Sequence, residues 1–390
     1  MNSPTPAIAR ISIIGAGPGG LTCARVLHRH GIAATVYDRD PDAAARDQGG
    51  SLDLHEEDGQ LALREAGLLE EFFALARCES QEERRYDPAG RLLGHRLPDE
   101  GETARPEIDR GQLRDLLLRS LDPGTVRWGH ALESVGGPAD GPRTLTFADG
   151  STVETDLVIG ADGAFSRVRA AVSDAVPRYT GVGFLEAWFD AMESAHPELS
   201  ELVGRGSAHA ADGERGLFAQ RSSGGHLRVY IMRRVAQDWM AASGLSPRDT
   251  EGIRAHLLAE YAGWSPRLLR MITENDGAYV DRPLYALPVP HTWRPTPGVT
   301  LLGDAAHLMP PLGVGVNLAM LDAAELALAL AGSATVDDAV RGYEKAMLPR
   351  SAEIAGMLEG GAGFLLEEPD AGDLARFDAP GAGHGPGSAR

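Results

Sequence analysis

Ile11-Ser12-Ile13-Ile14-Gly15-Ala16-Gly17-Pro18-Gly19-Gly20-Leu21 is the stretch on which the fold turns. Its first four residues are an apolar run with the look of a buried strand, and Leu21, Ala24 and Leu27 then follow at helical spacing. The glycines between them therefore form a strand-to-helix turn. Gly15 permits the tight turn, Gly17 lets backbone approach a pyrophosphate, and Gly20 allows the helix to pack closely on the strand, leaving phosphates at a positive helix N-terminus. A second strand, Ala33-Ala34-Thr35-Val36-Tyr37, ends at Asp38, an acceptor for ribose hydroxyls that disfavours a 2′-phosphate. The first site thus suits adenosine rather than NADPH. Taken alone, the pattern also fits a glycine-rich turn in an ordinary α/β domain.

Two more stretches, Gly160-Ala161-Asp162-Gly163 and Gly303-Asp304-Ala305-Ala306, each follow a strand-like run and fit the same dinucleotide. Together the three point to FAD. Because they lie far apart in sequence, the expected fold is α/β, with a discontinuous Rossmann-like FAD-binding domain of the glutathione reductase type and an inserted antiparallel-sheet substrate domain. The expected division is residues 1–86, 104–177 and 288–332 for FAD and residues 87–103 and 178–287 for substrate. A C-terminal helical segment, 333–366, and a flexible tail, 367–390, complete it. Locally, Gly59 to Ala76 reads as a helix pair broken at Gly67, Asp87 to Pro106 as a hairpin, and Ile108 to Leu121 as a helix. In the insert, strands are expected at 184–189, 217–220 and 227–232, with one helix at 246–262; a long apolar helix follows at 316–331 and another at 336–358.

At 390 residues with a net charge of -19, the chain has room for about two domains and is repelled by nucleic acid and anionic membranes. No uninterrupted apolar stretch reads as long enough to cross a bilayer, and Met1 to Ala9 lacks the apolar core of a secretory leader. A cytoplasmic monomer is the expectation. Cys23 and Cys78 are too few for a disulfide framework, Cys23 reads as a core residue, and the histidines show no HExxH spacing, so no metal site is expected.

In this order and spacing, the three motifs resemble those of the class A flavoprotein monooxygenases, the group that includes para-hydroxybenzoate hydroxylase, over nearly the whole chain. In detail, Val36-Tyr37-Asp38-Arg39-Asp40, Gly49-Gly50-Ser51-Leu52-Asp53-Leu54-His55, Glu107-Ile108-Asp109-Arg110 and Gly303 to Pro311 are most similar to the tetracycline-inactivating monooxygenases. The resemblance implies that Asp38 and Arg39 contact the adenosine, and that Asp53 and Arg110 hold other parts of FAD. It assigns Arg46 to nicotinamide handling, the other reading being a solvated surface arginine. Asp162 and Gly163 match a signature associated with both FAD and NADPH. There Arg167 and Arg169 supply charge for phosphate, or Arg169 pairs with Asp174 and fixes the turn. Asp304 matches the residue that binds the ribitol, and Pro310-Pro311 the turn beside the isoalloxazine. A helix starting near Gly315-Val316-Asn317, after Gly313, would aim free N–H groups at the pyrimidine edge. One departure is that the turn Pro311-Leu312-Gly313-Val314-Gly315 is a residue shorter than usual, with Val314 where a polar residue is common.

What the resemblance implies chemically is reduction of FAD by NADPH, or less favourably NADH, since no second complete Rossmann unit is present. Oxygen is then held as a C4a-hydroperoxide whose distal oxygen passes to an aromatic or polyketide-like small molecule, tetracycline-like compounds included. Two insert residues depart from the tetracycline-inactivating pattern: Glu186 replaces a neutral polar contact and Arg228 a histidine. A further arginine position is occupied by Gly206, with Arg205 adjacent. Glu186 and Arg228 are either substrate contacts or an ion pair across neighbouring strands; Trp188, Phe189 and Met232 are pocket walls or core. No catalytic base is evident, His55 and His307 being read as satisfying backbone groups. Alternatives are a flavin-dependent reductase of a polyprenyl or lipid substrate and a noncatalytic flavoprotein that sequesters a pathway intermediate.

Overall fold

A computed structural model describes residues 10–45, 49–138, 141–311, 313–357 and 361–367. Arg46, Leu312 and all of the tail beyond 367 lie outside the described residues. The strand-turn-helix reading of the first motif holds: Ile11–Ile14 is a fully buried strand and Pro18–Arg29 a helix capped by Gly17. Ile11–Ile14 pairs in parallel with Ala34–Tyr37 on one side and Leu157–Gly160 on the other. Val299–Leu301 and Val126–Arg127 complete a five-stranded parallel sheet at its two edges. Strands buried on both faces are continuous apolar runs, as Ile11–Ile14, Leu157–Ile159 and Val299–Leu301 are. All three glycine motifs thus leave the carboxyl ends of three adjacent strands, where open α/β sheets bind ligands.

The insert is a seven-stranded sheet built on the long strands Arg178–Phe189, Arg215–Ser222 and His226–Arg234, with Val280–Ala286 at one edge. Two features differ from expectation. The sheet is mixed, because Ser207–Ala211 pairs in parallel with Glu83–Tyr86, whose hairpin partner Leu92–Arg96 forms the other edge. Nor is there one helix: besides Thr250–Glu260, the insert carries Met192–Ala195, Pro197–Val203, Trp239–Ala242 and Pro266–Thr273. They bury Leu185, Ala187, Leu217, Ala219, Val229 and Ile231 on the back of the sheet. The alternating residues Glu186, Trp188, Phe218, Gln220, Arg228 and Tyr230 face the other way, toward the nucleotide-binding half.

Helix Gly315–Gly332 is by length and composition alone long and apolar enough to cross a membrane, although Asp322 and Glu325 interrupt its apolar run. It nonetheless packs against Pro18–Arg29, Gly59–Ala66 and Val336–Gly356 and buries Asp322, as a core helix does. A final turn, Gly361–Leu366, places Ala362 and Leu366 against Val182 and Met232 of the insert sheet.

Candidate active site

Each glycine of the first motif has a separate physical reason. Gly15 has a φ of +108°, and a Cβ there would lie 2.3 Å from the Ala161 carbonyl oxygen, so side chains are excluded twice over. At Gly20 a Cβ would meet the Gly15 carbonyl at 2.0 Å. Gly17 differs: a Cβ would touch no atom of the described residues within 4 Å. Its bare face opens where the first-turn N–H groups of helix Pro18–Arg29 point, leaving room for a pyrophosphate. Asp38 stands at the end of its strand as expected, but its carboxylate also works inside the protein, accepting from the Ala16 N–H at 2.6 Å and the Asp40 N–H at 2.8 Å. Arg39 beside it is exposed.

One residue missed in sequence supports this turn from below. Arg114, only 2% exposed, donates to the carbonyls of Ala16 at 3.1 Å and Ala43 at 2.6 Å, with its guanidinium over the Trp128 ring. The available signal was an arginine on the apolar face of its helix, beside Leu113 and Leu117.

Arg169 joins the second motif to the third. Buried to 2% exposure, it donates to the carbonyls of Ala305 (2.8 Å), Asp304 (2.9 Å) and Ala164 (2.9 Å). It therefore fixes the turn, as one reading held, through three carbonyls rather than through Asp174. Asp162 accepts from the Arg167 N–H at 2.7 Å through one oxygen, while the other is buried without a partner; burial raises its pKa. Gly163 next to it, at a φ of +76°, has open space where a Cβ would be. The Asp304 carboxylate reaches solvent through the cleft yet lies deep enough for burial to raise its pKa, opposed by His307, Arg110 and Arg169. Among the described residues it accepts no hydrogen bond.

Both histidines bind carboxylates, which the sequence did not suggest, and His307 also hydrogen-bonds its own backbone, as it did suggest. His307 Nε2 meets Asp322 at 2.6 Å, Asp322 also accepts from the Gly303 N–H at 3.1 Å and from Arg350 at 2.9 Å, and His55 meets Asp53 at 3.0 Å. Burial works against charge on His307, but Asp322 outweighs it and holds the imidazole pKa up.

The flavin-side turn is organised by Asn317. Its side chain donates to the carbonyls of Asp53 (2.9 Å) and Gly313 (3.2 Å) and accepts from the N–H groups of His55 (2.9 Å) and Gly59 (3.2 Å). Helix Gly315–Gly332 begins two residues earlier, a Cβ on Gly313 would lie 3.7 Å from the Asp53 carboxylate, and a Cβ on Gly315 would meet none of the described residues. Asn317 is thus completely buried and acts through its side chain as a clamp, a role the motif did not disclose. Pro311 and Gly313 are exposed at the mouth of this turn.

These residues fit FAD. The bare faces of Gly17, Gly163 and Gly315, the unpartnered oxygen of Asp162 and the uncommitted Asp304 carboxylate gather at one edge of one sheet. Residues 9–355 match the family model described as an FAD binding domain. The chain is 33% identical to monooxygenase asqM of Emericella nidulans, with 82% of this chain and 83% of that protein covered. The chain belongs to the FAD-dependent monooxygenases. A second relative within this family, 3-amino-4-hydroxybenzoate 2-monooxygenase of Streptomyces cremeus, is 32% identical over 88% of this chain and 84% of its own. The fold is shared with 2,6-dihydroxypyridine-3-hydroxylase from Arthrobacter nicotinovorans (TM-score 0.79, 19% identity, 94% of this chain and 96% of that one). It is shared as well with tetracycline destructase Tet(55) (TM-score 0.70, 22% identity, 95% and 94%).

In this monooxygenase the insert sheet turns its front face to the flavin-side elements. A Cβ on Gly50 would meet the Tyr230 hydroxyl at 2.8 Å and Arg228 Cδ at 3.0 Å. Glu186 and Arg228 do form a direct ion pair across strands, and Arg282 binds the second Glu186 oxygen at 3.0 Å. Their side chains are 7% and 4% exposed, so they meet each other rather than solvent. Arg228 also lies over the Trp188 ring, 4.1 Å from its centroid. Gly206 cannot substitute for a pocket arginine, because a Cβ there would lie 2.1 Å from the Glu82 carbonyl. Phe189 packs in the back core, whereas Trp188 is on the front. Arg110, half-buried at the start of helix Arg110–Arg119, lies near enough to Asp304 and Tyr230 to oppose, without cancelling, the rise that burial gives the pKa of each.

Proposed function

We propose that the enzyme hydroxylates an aromatic or polyketide-like small molecule, taking electrons from NAD(P)H and one oxygen atom from O2. Bound FAD supplies the two-electron reduction and the activation of oxygen. The chain's own residues do the rest. Gly15, Gly17, Gly20, Asp38 and Arg39 take the adenosine and pyrophosphate end, Asp162, Gly163 and Asp304 the ribitol, and Asp53, Arg110, Pro311, Gly313, Gly315, Val316 and Asn317 the ring end. The N–H groups at the start of helix Gly315–Gly332 favour negative charge on the reduced ring. Residues 1–86, 104–177 and 288–332 hold cofactor in this reading; 87–103 and 178–287 hold substrate, joined by the sheet strand Glu83–Tyr86.

The observation that supports it best is the front face of the insert sheet, where Tyr230 and Arg228 come up against Gly50 of the cofactor-binding half, with Arg282 beside Glu186 and Trp188 beneath Arg228. An aromatic ring carrying acceptor or ionisable groups suits such a surface. A relative at 32% identity is named for 3-amino-4-hydroxybenzoate, a ring of that kind. The experiment is to purify the protein with FAD and measure NADPH and NADH oxidation with 3-amino-4-hydroxybenzoate, related phenols and a tetracycline, alongside oxygen uptake and product mass. A gain of one oxygen atom by one of these rings supports the proposal. Failure to retain FAD, or nicotinamide oxidation that no ring stimulates, counts against it.

A further inference from the structure

Asp53 and Glu107 stand directly opposite each other on the antiparallel ribbon formed by Ser51–Asp53 and Glu107–Asp109. Two carboxylates at such a cross-strand pair repel. They nonetheless share one face of the ribbon where it meets the insert sheet, and their carboxylates take different partners. Asp53 is on the flavin side, bound to His55 and 3.7 Å from where a Cβ on Gly313 would be. Glu107, 7% exposed, is directed to the sheet, where both of its oxygens receive Gln220 Nε2, at 2.9 and 3.1 Å.

Gln220 is in register with Arg228, which is in register with Trp188, so its amide belongs to the front-face row that carries the arginine. An ionised carboxylate only accepts hydrogen bonds, which obliges the amide to present nitrogen to it. The Gln220 amide oxygen is then left over. Among the described residues nothing donates to it, and it is not sealed from solvent.

We propose that Glu107 is a positioning residue that sets which end of the Gln220 amide is presented to the ligand. Ionised, Glu107 holds the nitrogen, and the amide oxygen faces the ligand as an acceptor for a ring hydroxyl. Protonated, it donates to the amide oxygen, the amide turns over, and the nitrogen faces the ligand as a donor to a phenolate. Ionisation of a bound phenol is thereby matched by protonation of Glu107: one O–H bond breaks on the ring, one forms on the carboxyl, and nothing is oxidised or reduced. The substrate class that exploits this is a ring with an ionisable hydroxyl, an assignment that rests on the monooxygenase reading.

The groups facing Glu107 are Asp53 and Ser51 from the ribbon, Arg77 from the segment that bridges to it, and Gln220 and Tyr230 from the sheet. Burial and then Asp53 favour the neutral carboxyl, while Ser51, Gln220 and Arg77 favour the anion, and the balance raises the pKa to about 7. Both states of the amide are therefore accessible near neutrality.

The test is a titration of the full-length protein, with FAD added and its glutamine side-chain amides labelled with 15N, from about pH 5.5 to about pH 8.5. Gln220→Ala assigns the signal. Expected are a Gln220 amide pair that moves with a single midpoint close to 7, a pair that stays fixed in Glu107→Gln, and a midpoint moved to lower pH in Asp53→Asn. Infrared detection of a protonated carboxyl band that fades over the same range gives a second readout on the wild-type chain, independent of whether Glu107→Gln folds. A Gln220 signal that stays put in the wild type, or one that still titrates in a folded Glu107→Gln, overturns the proposal. Neither readout uses substrate or turnover, so their failure would leave the monooxygenase reading standing, and failure of that reading would not alter them.

Discussion

At the scale of single residues, the glycines of the first motif divide into those the fold requires and one that only a ligand requires. Gly15→Ala places a methyl against the Ala161 carbonyl at a φ that L residues avoid, so the expected outcome is a protein with a clearly lowered Tm or none in the soluble fraction. Gly17→Ala meets nothing among the described residues. Its apoprotein should melt close to wild type while FAD affinity falls at least tenfold, about 1.4 kcal/mol, measured by fluorescence titration of the flavin. Equal loss of affinity and stability in Gly17→Ala would contradict that division. The buried pair Glu186–Arg228 gives a second contrast. Arg228→Met leaves the Glu186 carboxylate to Arg282 alone, and stability should drop by about 3 kcal/mol in urea denaturation. The double variant Glu186→Gln with Arg228→Met should regain much of that loss, because the stranded charge goes with its partner.

At the scale of elements, the strand-to-helix turns were legible because glycine spacing and apolar periodicity are local properties. The helix pair broken at Gly67, which ends its first helix in the left-handed conformation, was legible for the same reason. What escaped reading depends on contacts between distant segments. Nothing near Glu83–Tyr86 announces a parallel partner at Ser207–Ala211, and nothing near Glu107 announces Gln220. The short helices behind the insert sheet, Pro197–Val203 and Pro266–Thr273, span too few turns for a periodic signal. At the site, the motif positions were legible but not their division of labour: the Asn317 side chain clamps backbone, and Arg169 holds carbonyls. Arg169→Lys tests that last point. A lysine keeps the charge but not the planar fork, so loss of the three-carbonyl arrangement should loosen the Gly303–Ala305 segment against the second motif. Expected are a lower apoprotein Tm and weaker FAD binding together. Unchanged Tm with weakened FAD binding would instead indicate a direct phosphate contact.

At the scale of the whole molecule, the C-terminal helix is coupled to the cofactor cleft by a chain of charge. Arg350 of Val336–Gly356 binds Glu325 through both nitrogens and Asp322 through one, and Asp322 passes the link to His307 and to the Gly303 N–H. The pH dependence of folding follows from the direction of each shift. For His307, burial lowers the pKa but Asp322 raises it further, so the folded value lies above the ordinary 6.5. Its contribution to stability is then complete below about pH 6.5 and is lost as the pH climbs through the folded value. Asp322 is shifted the opposite way, below its ordinary 3.8, so its share is present above that value and fades only in acid. Glu107 adds a slope of the same sign as His307, since a carboxyl raised from its ordinary 4.5 to about 7 costs the folded state stability as the pH rises between those values and changes nothing further above them. The difference between wild type and His307→Gln removes the Glu107 contribution, which is common to both. Chemical denaturation of the two proteins across a pH series should give a stability difference that is largest between about pH 4.5 and 6.5 and shrinks steadily on the alkaline side. A difference that grows with rising pH would mean that His307 is neutral in the folded protein, and the link from the C-terminal helix to the Gly303-Asp304 motif would then be an ordinary hydrogen bond without charge.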